Sequence, residues 1–390
     1  MKATAATFRE HALDVLDFWR THAVDREFGG FIPYLDRTGR IYDDSERHLV
    51  AATRLVYTFS QGVLLDGPAW CDDLARHGAD FLLKHFLDRK HGGWYWRCRR
   101  DGAPIETCKR TYGHNFAMLA LTEFHRATGD AEALAMAERT FDLLDQRAWD
   151  IDRGAYREGY DRTWTTVDPP WLGQNCQMHA LEATLALHEV TGHDHYRRRI
   201  AEVCRLMDRH LFDRQHGCLP EEFHEDWTID RTRRGDSISI GHQFEWAWLL
   251  MRAEAVAPEA VNADRIGQLM DFAVRHGWDD AFGGVYANTS STGEVLNDRK
   301  GFWENCEAVM ALLWYARRTG EPRYHDLFER GADFCLTHLA DGEHGGWFSA
   351  VARDGAPVET NKGGSWKADY HVIQMCAEVS RFLSDPSRRA

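Results

Sequence analysis

The sequence lacks most of the marks of the commoner binding chemistries. Nine cysteines stand singly, with no C-x-x-C pair, so they read as buried thiols and supply neither a zinc site nor a disulfide frame. There is no excess of positive charge: 47 Lys and Arg face 61 Asp and Glu, a net −14, which argues against a nucleic-acid partner. No run of 18 apolar residues is present to span a membrane. The opening Met1-Lys2-Ala3-Thr4 lacks the apolar stretch of a secretory leader, so a cytoplasmic protein is expected. No phosphate loop of the G-x-x-x-x-G-K type and no Rossmann glycine pattern occur, and neither H-E-x-x-H nor G-x-S-x-G is found. Nucleotide, dinucleotide, zinc-hydrolase and serine-hydrolase readings therefore have no support. What is abundant is aromatic: 15 Trp, 12 Tyr and 20 Phe, with 21 His beside them. Hydrophobic residues at 44% and charged residues at 28% suit a globular chain with a large core.

A repeat organises the chain. A glycine-centred signature recurs at Phe28-Gly29-Gly30-Phe31, His91-Gly92-Gly93-Trp94, Arg153-Gly154-Ala155-Tyr156, His216-Gly217-Cys218-Leu219, Phe282-Gly283-Gly284-Val285 and His344-Gly345-Gly346-Trp347. The first glycines are spaced by 63, 62, 63, 66 and 62 residues, and the stretches from His91 and His344 are near duplicates. After each signature an aromatic strand, a turn such as Arg100-Asp101-Gly102-Ala103 and a second strand read as a hairpin. An apolar helix follows, as from Phe116 or Gln177, and ends at a glycine turn (Gly129, Gly192, Gly320). A more charged, amphipathic helix then leads to the next copy. Six pairs, each with one helix apolar nearly all round, predict an all-α (α/α)6 toroid of residues 1–390 as a single domain. Short glycine turns would lie on one face. Hairpin loops would lie on the other, over a pocket at the starts of the inner helices.

The repeat also locates candidate chemistry. Counted from the first glycine of each copy, Arg54, His179 and His242 share an offset of 25, with His371 at 26 and Glu307 at 24. Equal offsets around one axis bring one Arg, three His and a carboxylate towards each other, and burying them is costly unless they pair or meet a ligand. Glu245 follows His242 by three residues, so the two share a helix face on which they can orient each other. Asn175, one turn before His179, reads either as a hydroxyl ligand or as a helix cap. Tyr112, Trp171, Phe302, Trp303 and Trp366 fall at loop-to-helix junctions, where rings suit the apolar faces of sugars or simply pack the toroid. Imidazoles that converge could bind zinc, and Glu245 with Glu307 could act as the carboxylate pair of a glycoside hydrolase. The pattern best matches proton transfer near neutral pH by histidine, with Arg54 to stabilise a developing enediolate.

At these residues the chain resembles the N-acylglucosamine 2-epimerase superfamily along essentially its whole length. The matching pieces are AATRLVYTFS around Arg54, NCQMHALEA with Asn175 and His179, GHQFEWAWLL with His242 and Glu245, KGFWENCEAVMALL from Lys300, and WKADYHVIQM with His371. The resemblance implies an (α/α)6 barrel that isomerises or epimerises sugars; no cofactor or metal is expected, because the carbonyl of an open-chain aldose already acidifies its C2 proton. The resemblance makes His242 and His371 the acid/base pair that moves a proton through a cis-enediol. His179 would assist ring opening or bind a hydroxyl, Arg54 would hold the oxygens near C1 and C2, and Glu245 would orient His242. Tyr112, Asn175 and Trp303 complete the expected substrate contacts. GHQFEWAWLL looks closer to the mannose isomerase branch than to the GHDIE form, so the expected reaction is aldose–ketose isomerisation of mannose and fructose. A sugar 2-epimerase is the alternative, on mannose or glucose, on N-acylated hexosamine or on cellobiose. The expected partner is a monosaccharide, with exposed aromatic helix faces hinting at a homodimer.

Overall fold

A computed structural model describes residues 3–167 and 172–384, and Trp171 lies outside them. Twelve α-helices are present among the described residues. They are α1 (Ala5–His22), α2 (Leu49–Leu64), α3 (Trp70–Phe81), α4 (Thr111–Thr128), α5 (Ala131–Arg147), α6 (Gln174–Thr191), α7 (Asp194–Leu206), α8 (Ile240–Val256), α9 (Ala263–Phe272), α10 (Phe302–Thr319), α11 (Pro322–Phe334) and α12 (Tyr370–Ser384). None is long and apolar enough to cross a membrane.

Even-numbered helices are the apolar members of each pair. In α8 every residue from Ile240 to Met251 is buried, which leaves no solvent face for His242 or Glu245. Odd-numbered helices bury one stripe: α5 covers only Ala133, Ala137, Thr140, Phe141 and Leu144, at helical spacing. The glycine stops act as expected, with Gly129, Gly192 and Gly320 in left-handed caps (φ 73°, 68° and 67°).

The chain falls into two compact units. One comprises Leu16–Val203 and Asn361–Tyr370; in it α4 packs between α2 and α6, with α3 on α2 and α5 on α4. The other comprises Met1–Val15, Cys204–Thr360 and His371–Ala390; in it α8 packs on α10, with α9 on α8 and α11 on α10. In both units a short strand leads straight into an even-numbered helix and pairs with the following hairpin. Glu46–His48, Arg97–Arg99 and Pro104–Glu106 form one such antiparallel sheet, and Lys300–Gly301, Ala350–Val351 and Pro357–Glu359 another.

Each glycine signature is anchored by an aspartate four residues before its first glycine: Asp25, Asp88, Asp150, Asp213, Asp279 and Asp341. The glycine N–H bonds back to the aspartate carbonyl at 2.8–3.1 Å, while the side chain accepts from the amides in between. Amides at the starts of the even helices then pin the hairpins. Gln177 brackets Tyr156, Gln243 brackets Leu219 and Asn305 brackets Val285, each through both its oxygen and its nitrogen. Gln243 is the neighbour of His242, so the pin that holds the loop also fixes the start of α8.

Asp25, Asp88 and Asp279 are buried ion sites. Asp25 takes Arg47 and Arg100, Asp88 takes Lys109 and Arg162, and Asp279 takes Lys300 and Arg353. A further device sets the hairpin turns. Gly102 (φ 86°) lies so close over the His85 ring that a Cβ there would come 1.9 Å from Nδ1. One equivalent turn in the other unit has Trp227 at φ 67°, stacked on His210 at 5.0 Å. That stacking contact accompanies a left-handed conformation that bulky residues seldom adopt.

Candidate active site

Each unit contributes a set of sequence-predicted residues. In the Cys204–Thr360 unit, His242 stands in the first turn of α8 and His371 in the first turn of α12. His371 Nδ1 lies 2.6 Å from Glu307 Oε1, and the Trp248 indole N–H donates to Glu307 Oε2 at 2.7 Å. His242 Nδ1 lies 2.9 Å from both carboxylate oxygens of Glu221. An ionised carboxylate only accepts, so in both rings Nδ1 carries the hydrogen. The Trp303 ring sits by both imidazoles, 4.9 Å from His242 and 5.7 Å from His371 between centroids.

The expected pairing of His242 with Glu245 needs correction here: the carboxylate on His242 Nδ1 is that of Glu221, from the loop before α8. Helical spacing places Glu245 on the same helix face, but it groups with Glu307 and His371, whose ligand atoms lie within 4.8 Å of one another. Such a trio could hold an ion. Here both Glu307 oxygens already accept hydrogen bonds, from His371 and from Trp248, so an ion would have to displace at least one of them.

In the Leu16–Val203 unit, His179 Nδ1 lies 2.9 Å from Glu182 Oε2, and the Tyr370 hydroxyl donates to Glu182 Oε1. The i,i+3 spacing proposed for His242 and Glu245 is thus realised by His179 and Glu182. Arg54 donates to the Trp366 carbonyl and, at 3.1 Å, to the Tyr112 hydroxyl, while its guanidinium lies 4.4 Å over Phe116. The Tyr112 ring meets His179 edge-on at 5.1 Å. Asn175 is not the helix cap, since α6 is capped by Gly173. Its buried Oδ1 has no partner among the described residues, which leaves it open to a hydroxyl.

Sequence reading missed Glu221, Glu182, Tyr370 and Trp248, and it missed the pairing of Glu307 with His371. It also missed Glu304, a buried neighbour of Trp303 whose carboxyl burial pushes up to about 8, so that it is neutral at pH 7. Trp303 and Glu304 both press on Gly241: a Cβ there would come 2.5 Å from the indole and 2.9 Å from Glu304 Cγ. Gly241→Ala is therefore expected to push Trp303 off the two imidazoles. Catalytic turnover should fall at least tenfold, with about 1–3 kcal/mol of stability lost to overpacking; steady-state kinetics and urea unfolding on the same preparation check this.

A buried histidine whose Nδ1 is held by a carboxylate is an arrangement suited to proton transfer. The model of the N-acylglucosamine 2-epimerase (GlcNAc 2-epimerase) family matches residues 29–375, and the chain belongs to that family. It is 28% identical to a D-mannose isomerase of Marinomonas mediterranea over 97% of this chain and 98% of that protein. A cellobiose 2-epimerase of Bacteroides fragilis is likewise 28% identical, over 95% of this chain and 97% of that protein. A crystal structure of D-mannose isomerase superposes with a TM-score of 0.89 at 27% identity, covering 97% of this chain and 98% of that one. The chain shares the (α/α)6 toroid fold of these proteins, as its repeats predict.

Proposed function

We propose that this protein interconverts D-mannose and D-fructose by proton transfer between C2 and C1 through a cis-enediol. The observation that carries the reading is the pair of buried dyads, His371–Glu307 and His242–Glu221, beside the one ring of Trp303. One Nε2 removes the C2 proton of the open-chain aldose, which the adjacent carbonyl has already acidified. The carboxylate on Nδ1 holds the ring in its working tautomer and faces the imidazolium that forms. Return of the proton to C1 gives the ketose. Arg54 stabilises the developing negative charge on the enediolate oxygens, and His179, with Glu182 behind it, assists ring opening. Tyr112, Asn175, Trp303 and Glu245 hold the hydroxyls and the apolar face of the sugar. No cofactor takes part. The same proposal treats residues 1–390 as one domain in a cytoplasmic homodimer, which cell fractionation and sedimentation test.

A glycoside hydrolase fits the residues less well. It needs a carboxylic acid free to protonate a leaving group, whereas both Glu307 oxygens accept hydrogen bonds, from His371 and Trp248. The likeness to the cellobiose 2-epimerase is as extensive as that to the mannose isomerase, so C2 epimerisation is the second reading. Proton NMR of D-mannose incubated with the protein in deuterium oxide separates the two. Fructose labelled at C1 is the expected product; glucose labelled at C2, without free fructose, would replace the isomerase by the epimerase.

A further inference from the structure

His48 lies outside the residues used so far. It is the N-cap of α2 and 5% exposed, and the Val50 N–H donates to its Nδ1 at 3.3 Å. With Nδ1 accepting, the ring hydrogen must sit on Nε2. Among the described residues nothing accepts a hydrogen bond from that Nε2. The ring is held between two indoles: Trp96 at 4.3 Å and 72°, and Trp366 at 5.1 Å and 47°. Trp96 and Trp366 meet each other at 5.8 Å, and Tyr112 meets Trp366 at 5.6 Å. Trp366 is 52% exposed, so this aromatic wall opens to solvent. Arg54 ties the wall to the proposed substrate contacts through the Trp366 carbonyl and the Tyr112 hydroxyl.

We propose that His48 is a specificity-determining residue whose Nε2–H donates to a hydroxyl oxygen of a sugar held against Trp96 and Trp366. The assignment rests on the sugar reading above. Indole faces supply apolar contact with a pyranose or open-chain carbon skeleton, and a pre-aimed donor between them selects one hydroxyl. The Nε2–H is not among the buried unpartnered atoms, so it meets solvent at the wall, and a sugar hydroxyl would take the place of water there. The donor state is stable over the working range, because burial, helped by Arg97, lowers the pKa of His48 to about 4. Sugar affinity should therefore not titrate with this group above pH 5.

The competing role is helix capping alone, and His48→Asn separates the two. Asn is among the best N-caps, so α2 keeps its cap while the Nε2 donor is lost. Full-length wild type and H48N are titrated with D-mannose and its 2-, 3-, 4- and 6-deoxy analogues, following tryptophan fluorescence. The expected result is a Kd for mannose raised roughly 10–100-fold in H48N, with unfolding midpoint unchanged. Wild type should lose the same factor for the one deoxy sugar that lacks the His48 acceptor, beside penalties at hydroxyls held by other residues, and H48N should be indifferent to that one position while keeping the other penalties. Equal mannose Kd values in the two proteins would overturn the assignment, as would a wild-type penalty pattern that persists in full in H48N. His48→Phe, which keeps the ring but not the donor, should bind like H48N; binding like wild type would also overturn it. These readouts do not use turnover. Sugar binding with the expected pattern but no fructose formed would sink the isomerase and leave His48 assigned. No binding of mannose, fructose, N-acetylglucosamine or cellobiose to wild type would sink both.

Discussion

His371→Ala and His242→Ala are each expected to lower kcat/KM for mannose by about 10²–10⁴, the range that a positioned general acid or base supplies. Both rings are buried and each has its Nδ1 on a carboxylate, so the loss should appear in kcat with little change in KM. The carboxylates give the sharper test. Glu307→Gln keeps the volume of Glu307 and can still accept from Trp248 or meet His371. It can also present an amide N–H to Nδ1, which turns the imidazole to its other tautomer and puts the hydrogen on the nitrogen meant to take the proton. A kcat loss on the order of 10² is expected for Glu307→Gln and for Glu221→Gln. Glu245→Gln should act through substrate binding and raise KM more than it lowers kcat. If Glu221→Gln left kcat intact while Glu245→Gln abolished it, His242 would depend on its helix neighbour after all. Steady-state kinetics with mannose and exchange of the C2 proton into deuterium oxide measure both quantities in one series.

The repeat, which turns linear offset into equivalent position, singles out Arg54, His179, His242 and His371 as candidates, and the family motifs lie on those same helices. His179 and Glu182 stand at the same i,i+3 spacing as His242 and Glu245, so that pair too is legible from helical spacing. Glu221 was not legible: it sits on a loop 21 residues before its partner, and no helical or strand period links them. The Glu307–His371 bond spans 64 residues, and knowing that both fall near one offset does not say which ring a carboxylate meets. The six aspartates preceding the glycine signatures are in plain sight at constant spacing, as is the His85 to Gly102 interval of 17 residues, repeated at His276 and Gly293 and at His338 and Gly355. These are scaffold devices. Attention to glycines and histidines as separate signals passed over the contacts between them.

One of those aspartates supports the second large expected effect, which concerns stability. Asp279 is 1% exposed and Lys300 fully buried, with Lys300 Nζ at 3.0 Å and Arg353 Nε at 2.9 Å from the carboxylate. The Lys300 ammonium also lies 4.8 Å over the Phe334 ring. Lys300→Ala leaves the carboxylate buried with only the half-exposed Arg353 to face it, and is expected to cost about 3–5 kcal/mol, read as a fall in the urea midpoint. Burial alone would raise the Asp279 pKa, but the bonds from Arg353 and Lys300 outweigh it and hold the carboxyl well below the usual carboxylate range. A depressed folded-state pKa contributes stability that is complete above the unfolded value of about 3.9. That contribution is lost as pH falls towards the folded value. Wild type should therefore lose stability steeply below about pH 4, and an Asp279→Leu, Lys300→Met double variant should lose less over the same interval. Filling the site with apolar side chains removes the desolvation cost of both ions, so the double variant should recover most of what Lys300→Ala loses at pH 7. Were it no more stable than Lys300→Ala, the ion pair would be needed for the geometry of the hairpin that carries Gly283 and Gly284, and charge compensation would not be its main contribution. The two outcomes separate in one set of urea titrations at pH 7 and pH 4.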